Sequence, residues 1–258
     1  MTENTVSYNR YVNRAPDHEI WKPILDNQVQ GYKDMVQRVR TAFNGKNKKE
    51  KGESLEELMT FVFSRFEDVA DVIPNEFSGD NQIDHCIEFI DSLVPTFFHD
   101  YIGMRIIGES KNHNKTIGVR EVSNLDELLR DNKSRLGIFS SYKTFSKGKK
   151  SMWSYAEGKR RKLLLSYNRY IIGFTIDELE SLINNNFYTM IKQKIKNLQK
   201  ELEDDYTEDE FGVPYHHRLY LSLKQLKNLD IIDPEMFEEG TKRLIEKFGD
   251  IEKEKKEP

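Results

Sequence analysis

The chain has 258 residues, of which 37% are hydrophobic and 33% charged, with a formal net charge of −4. This length allows one medium core or two small ones plus arms. No apolar run approaches the roughly 20 residues that span a bilayer, so no membrane span is expected. The polar start Met-Thr-Glu-Asn-Thr-Val-Ser-Tyr has no apolar stretch of the kind a signal peptide carries. A lone cysteine, Cys86, excludes an internal disulfide, and a reducing cytoplasm is the expected location.

The small net charge hides an asymmetry. Residues 111–170 carry fifteen Lys/Arg against five Asp/Glu, a surplus of ten positive charges, so the remainder carries −14. A basic centre flanked by acidic segments points to a polyanion-binding face in the middle of the chain. A highly charged, solvated surface is the plainer explanation of the same numbers.

Residues 1–15 show no pattern of an ordered element. Val29, Tyr32, Val36, Val39 and Phe43 recur at helical spacing, and the segment is expected to end at Gly45, with the Lys46–Lys51 charge run as a solvated linker. Leu55, Leu58, Met59, Val62, Phe63 and Phe66 form the clearest amphipathic stripe in the chain. At about 100° per residue, Glu56 falls at the edge of that stripe and Glu57 on its far side. Val69–Phe77 reads as a short strand broken by Pro74, and 78–81 as a turn. Gln82–Ile90 then alternates, with Ile83, Ile87 and Phe89 on one face and Asp84, Cys86 and Glu88 on the other. Residues 92–103 form an aromatic connection, and Met104–Ser110 is a strand.

Downstream, Ser123 or Asn124 is expected to cap a helix carrying Leu125, Leu128 and Leu129. Leu136–Ser140 is an apolar strand, Lys143–Lys150 a basic loop, and the stretch holding Trp153, Tyr155 and Lys159–Lys162 a helix. Tyr170–Phe174 is a strand, followed by a capping box, Thr175-Ile176-Asp177-Glu178. Alternating helices and strands of this kind predict an α/β fold, a mixed sheet flanked by helices, with helical extensions at both ends.

Three residues carry the chemistry. In a strand, residues i and i+2 share a face, so Glu109 and Lys111 would both face Asp84 while Ser110 points away. Two carboxylates and an ammonium brought together in a half-buried place are costly without a divalent cation and a phosphate to balance them. A nuclease active site meets that need.

These elements resemble the Mrr-like branch of the PD-(D/E)xK nuclease superfamily. The residues that carry the likeness are Gly52-Glu53-Ser54-Leu55-Glu56, Gly79-Asp80-Asn81-Gln82-Ile83-Asp84 and Glu109-Ser110-Lys111-Asn112. Further on come Gly137-Ile138-Phe139-Ser140-Ser141 with Phe145, and then Ile171–Phe174 leading to Asp177-Glu178-Leu179. The likeness covers about residues 52–183 and departs from the pattern in the long 92–103 connection and at Gly148-Lys149-Lys150-Ser151. It implies a restriction-endonuclease-like sheet and a Mg²⁺-dependent endonuclease (Mn²⁺ serving as well) that hydrolyses DNA, in restriction or antiphage defence. Asp84 and Glu109 would bind the ion, with the Ser110 carbonyl completing its shell and Glu56 reaching it through water. Lys111 would stay protonated and stabilise charge on the phosphate. Lys143, Lys147, Lys149, Lys150, Lys159, Arg160, Arg161 and Lys162 would contact the DNA backbone.

The implied organisation is a helical arm over 1–45, the nuclease domain over 46–183, a charged helix and acidic linker over 184–213, a helical hairpin over 214–250 and a tail over 251–258. The hairpin is modestly similar to the short SHOCT-type C-terminal module, with Asp230 in place of its usual glycine. Thirty residues bury little alone, so self-association into a homo-oligomer or docking on the nuclease domain is expected. His85, Cys86, His99 and His113 fit no standard zinc spacing. Two other functions compete: a nuclease of the same fold acting on RNA or in repair, and a non-catalytic nucleic-acid-binding or assembly subunit.

Overall fold

The computed structural model describes residues 16–78, 81–148, 153–207, 215–228 and 232–248. The chain divides into two compact units, one ending at Leu198 and the other starting at Gln199. Among the described residues no helix is long and apolar enough to cross a membrane.

The first unit is a five-stranded mixed sheet between helical layers. After a one-turn helix (Asp17–Ile20) come α1 (Val29–Asn44) and α2 (Lys48–Ser64), then β1 (Ala70–Ser78), β2 (Asn81–Phe89) and β3 (Arg105–Lys111). α3 (Val119–Asp131), β4 (Leu136–Ser141), α4 (Tyr155–Tyr167), β5 (Tyr170–Thr175), α5 (Ile176–Glu180) and α6 (Phe187–Thr207) follow, α6 belonging to this unit as far as Leu198. The strands lie in sequence order, β1-β2-β3-β4-β5. The first two pairings are antiparallel and the last two parallel. Each parallel pair needs a crossover, and α3 and α4 supply the two.

Both faces of the sheet are covered. On one, Val122, Leu125 and Leu129 of α3 and Leu163 of α4 pack with Cys86, Ile107, Phe139 and Ile171. On the other, Phe63 of α2 lies over Gly108 and against the His85 ring, 5.2 Å between centroids. A Cβ at Gly108 would sit 2.8 Å from the Phe63 ring, so glycine there lets α2 approach the strand that carries Glu109 and Lys111.

The compact unit reaches beyond residues 46–183 on both sides. The N-terminal helices are built into it: the Trp21 indole N–H donates to Val62 O at 2.8 Å and the Tyr32 hydroxyl to Leu179 O at 2.6 Å. At the other end, Phe187 packs against Trp21, Phe63, Phe66 and Phe174.

Four local expectations are corrected. The Lys46–Lys51 run is not all linker: Asn47 accepts from Lys49 N and Glu50 N, and that cap starts α2 at Lys48. Pro74 does not break β1, because β1 is an edge strand whose register continues from Pro74↔His85 to Glu76↔Ile83 across Asn75, at φ 54°. α3 begins at Val119, not at Ser123 or Asn124, because Glu121 Oε2 accepts from Gly118 N at 3.1 Å and closes the cap earlier. Glu203–Thr207, expected in an acidic loop, continue α6. The Thr175–Glu178 box is present, with Thr175 N donating to Glu178 Oε2 at 2.8 Å.

The second unit holds the hairpin of α7 (Tyr215–Asn228) and α8 (Pro234–Phe248). Tyr220 meets Phe237 at 5.9 Å between centroids, and the Lys227 ammonium lies 4.7 Å from the Phe237 centroid. No described side chain of the hairpin is buried, and Met236 and Ile245 are exposed.

Candidate active site

The antiparallel β2–β3 pairing sets His85 opposite Gly108. One residue further toward the edge, Asp84 and Glu109 are neighbours. Ser110 N donates to Asp84 Oδ2 at 2.7 Å, which holds the carboxylate against β3. Lys111, two residues past Glu109 on the same face, donates its ammonium to Glu109 Oε1. The other oxygen, Glu109 Oε2, is buried and has no hydrogen-bond partner. The Glu109 side chain is only 16% exposed, so water does not readily serve it.

The charges report the same crowding. Burial pushes the Glu109 carboxyl above the usual carboxylate range, and the Asp84 charge pushes it further, with Lys111 only partly offsetting both. Burial also raises Asp84, against the Ser110 N–H and Lys111. Glu56, reaching the site from α2, is raised by burial and then by the Asp84 charge. Lys111 is pulled down by burial, but Glu109, Asp84 and Glu121 outweigh this and raise it on balance, so it keeps its proton. Three carboxyls that resist ionising around one ammonium form a site short of positive charge.

Glu56 is fixed to this cluster through its backbone. The Thr60 hydroxyl donates to Glu56 O at 2.9 Å and lies 2.8 Å from His85 Nε2. Because the Thr60 proton is spent on Glu56, Nε2 must carry the proton of the neutral imidazole. Burial lowers the His85 pKa to about 4. Its folded value lies below the ordinary 6.5, so this group's contribution to stability is present above pH 6.5 and is lost as pH falls toward 4. Urea midpoints of the wild type are expected to fall between pH 7 and pH 5 by more than those of His85→Gln; equal pH slopes would refute the buried neutral imidazole.

A cavity of about 200 Å³ opens on the α3 side of these residues, lined by Glu109, Lys111, Gln82, Glu121, Asn124 and Phe139 among others. Glu121 and Asn124 line this cavity outside the motifs, and Gln82 lines it as a motif position given no role from the sequence. For Glu121 a signal existed, since Gly118 followed three residues later by a glutamate is a capping pattern that aims the carboxylate at the chain entering α3. Gln82 could be found from its two-residue spacing to Asp84 on one strand face.

Among the described residues no three His, Cys, Asp or Glu are gathered tightly enough to enclose a metal ion. A cation here would rest on Asp84 and Glu109 and take its remaining ligands from neutral oxygens. This suits Mg²⁺, which is bound through one or two carboxylates and keeps several waters. The orphaned Glu109 Oε2 fits that role. Ser110 contributes its N–H to Asp84, and its own hydroxyl is buried without a partner.

The basic residues separate into two groups. Lys143, Lys147 and Lys162 are exposed and Lys159 half-buried. Arg160 and Arg161 do not belong with them. Arg160 donates to Glu157 Oε2 at 2.7 Å and lies over the Phe145 ring. Arg161, its side chain 4% exposed, lies 3.3 Å from the same carboxylate. At i+3 and i+4 from Glu157 both fall on one helix face, so their charge is spent inside the fold. Lys149 and Lys150 lie outside the described residues, as do Gly79 and Asp80. Cys86 is buried, and His113 Nδ1 accepts from Lys115 N at 3.2 Å. No family model matches this chain, and no curated protein matches it.

Proposed function

We propose that the chain is a divalent-metal-dependent nuclease that hydrolyses DNA phosphodiester bonds, with its active site at Asp84, Glu109, Lys111 and Glu56. The observation that carries this is the buried, unpartnered Glu109 Oε2 beside Asp84 and an ammonium where β3 ends. Asp84 and Glu109 would hold the ion, aided by the Ser110 carbonyl, with Glu56 reaching it through water. An ion bound there would supply Lewis acidity, acidifying water and neutralising charge on the phosphate. Lys111, held by Glu109, orients the phosphate and stabilises the charge that develops on it. Exposed Lys143, Lys147 and Lys162, with half-buried Lys159, provide the cations for the DNA backbone, so their substitution should flatten the salt dependence of DNA binding.

A titration of metal-free protein with MgCl₂, followed by thermal unfolding, tests the site. Ligand that binds only the folded state stabilises by about 2.7 kcal/mol at 100 Kd, so the wild-type Tm should rise with Mg²⁺. Glu109→Gln should abolish the rise. In metal-free buffer the order reverses. The folded-state pKa of Glu109 is raised, so the wild type loses stability as pH climbs through and above the ordinary carboxylate range. Glu109→Gln should therefore melt higher than wild type at pH 7 without metal. A wild type indifferent to Mg²⁺ would remove the metal from the account.

The hairpin is proposed to pair with a second copy of itself, because it leaves Met236 and Ile245 exposed and buries no described side chain. Deleting residues 213–258 should lower the mass seen in light scattering from oligomer to monomer. An unchanged state would end that proposal.

A further inference from the structure

The first residue of α4 is strained and exposed at once. Tyr155 has φ 60°, in the left-handed region that a bulky side chain rarely adopts, and the residue is 62% exposed. Its surroundings impose this backbone. Ser146 holds the next two residues, its hydroxyl accepting from Ala156 N at 3.3 Å and its carbonyl from Glu157 N at 3.0 Å. On the other side the chain passes so close that a Cβ at Gly158 would lie 1.8 Å from Trp153 O. Glycine at 155 would meet the same geometry without strain, and a tyrosine displayed there gains no core contact in return. Strain kept at an exposed aromatic is the mark of a residue retained for what it touches.

The neighbours of Tyr155 say what that is. Lys159 and Lys162, three residues apart, share a face of α4, half-buried and exposed respectively, and Tyr155 stands at the start of that helix. Lys147, exposed, adjoins the Ser146 that clasps the helix start. An exposed ring at the helix start is therefore followed along α4 by cations. It also lies at the right end of the sheet. β4 ends at Ser141, which pairs with Lys111, and α4 then runs back to the opposite end, where β5 begins at Tyr170. Tyr155 thus starts at the end of the sheet that carries Lys111.

We propose that the Tyr155–Lys159–Lys162 surface, with Lys147 beside it, binds single-stranded DNA, an unpaired base stacking on the Tyr155 ring while the lysines track the phosphates. In a duplex each base already stacks on its neighbours and offers no free face. An unpaired base does, and aromatic stacking of this kind tolerates any base. The proposal rests on the nuclease function above and narrows its substrate to DNA with an unpaired segment.

Fluorescence anisotropy in EDTA, with a labelled oligo-dT strand and a labelled blunt duplex at one salt concentration, tests it. Wild type should bind the single strand. Tyr155→Ala should bind it roughly 5- to 150-fold more weakly, the range for losing one stacked base, with duplex binding unchanged, and Tyr155→Phe should bind like wild type. Tyr155→Gly separates fold from function: its Tm should equal or exceed that of wild type while single-strand binding falls as in Tyr155→Ala. Equal single-strand binding by wild type and Tyr155→Ala, or equal losses on both DNAs, overturns the proposal. If Mg²⁺-dependent plasmid cleavage persists in those same samples, the nuclease function stands without it. If wild type neither binds nor cleaves any DNA, both fall.

Discussion

Lys111→Ala should reduce DNA cleavage by roughly 10²–10³-fold, the loss that follows removal of one preorganised donor to developing charge. Its metal binding should survive. In the folded protein Lys111 competes for Glu109, donating to Oε1, and its charge opposes a cation at the same carboxylates. Removing it should leave Mg²⁺ affinity equal or tighter while the chemical step fails. Lys111→Arg should not rescue, because the half-buried site is shaped for an ammonium rather than a planar fork. A variant that cleaves like wild type, or one that loses metal binding together with activity, would show that Lys111 is a structural partner of Glu109 and not a group acting on the phosphate.

Arg161→Ala should have the largest effect on stability among the basic residues. Glu157 keeps Arg160 as a partner, so the loss stays below the roughly 3–5 kcal/mol of a buried charge left uncompensated and is expected at about 2 kcal/mol, as for a buried hydrogen bond to a charged group. Glu157, its side chain 15% exposed, would be left to Arg160 alone. For a unit of this size the Tm should fall by about 4–8 °C. Lys147→Ala and Lys162→Ala, on exposed positions, should leave Tm within about 1–2 °C of wild type, as for most surface substitutions. The contrast is measured by thermal unfolding of the three variants. Equal, small shifts would place Arg161 back among the surface cations.

What could be read from the sequence, and what could not, follows the range of the interactions. The apolar stripe of α2 was legible because helical spacing alone decides it: Leu55, Leu58, Met59, Val62, Phe63 and Phe66 are all buried. The strands carrying Asp84 and Glu109–Lys111 were legible because alternation is local, and the β2–β3 register then brings those residues together. Helix starts were less so. Asn47 hid in a lysine run, and the Gly118–Glu121 box sat upstream of two residues that cap well by type. The basic run misled in a different way. Composition counts charges but not partners, and Glu157, three and four residues before the two arginines, had already claimed them. The Thr60–His85 link between α2 and β2 spans 25 positions and leaves no local trace. Nor does the backbone of Tyr155, which depends on Gly158 passing Trp153.

Supercoiled plasmid incubated with wild type and with Asp84→Ala, each in Mg²⁺ and in EDTA, tests the metal-dependent active site most directly. The account predicts nicked or linear product from wild type in Mg²⁺ alone and intact plasmid in the other three samples. Cleavage by wild type in EDTA, or by Asp84→Ala in Mg²⁺ at the wild-type rate, would contradict it.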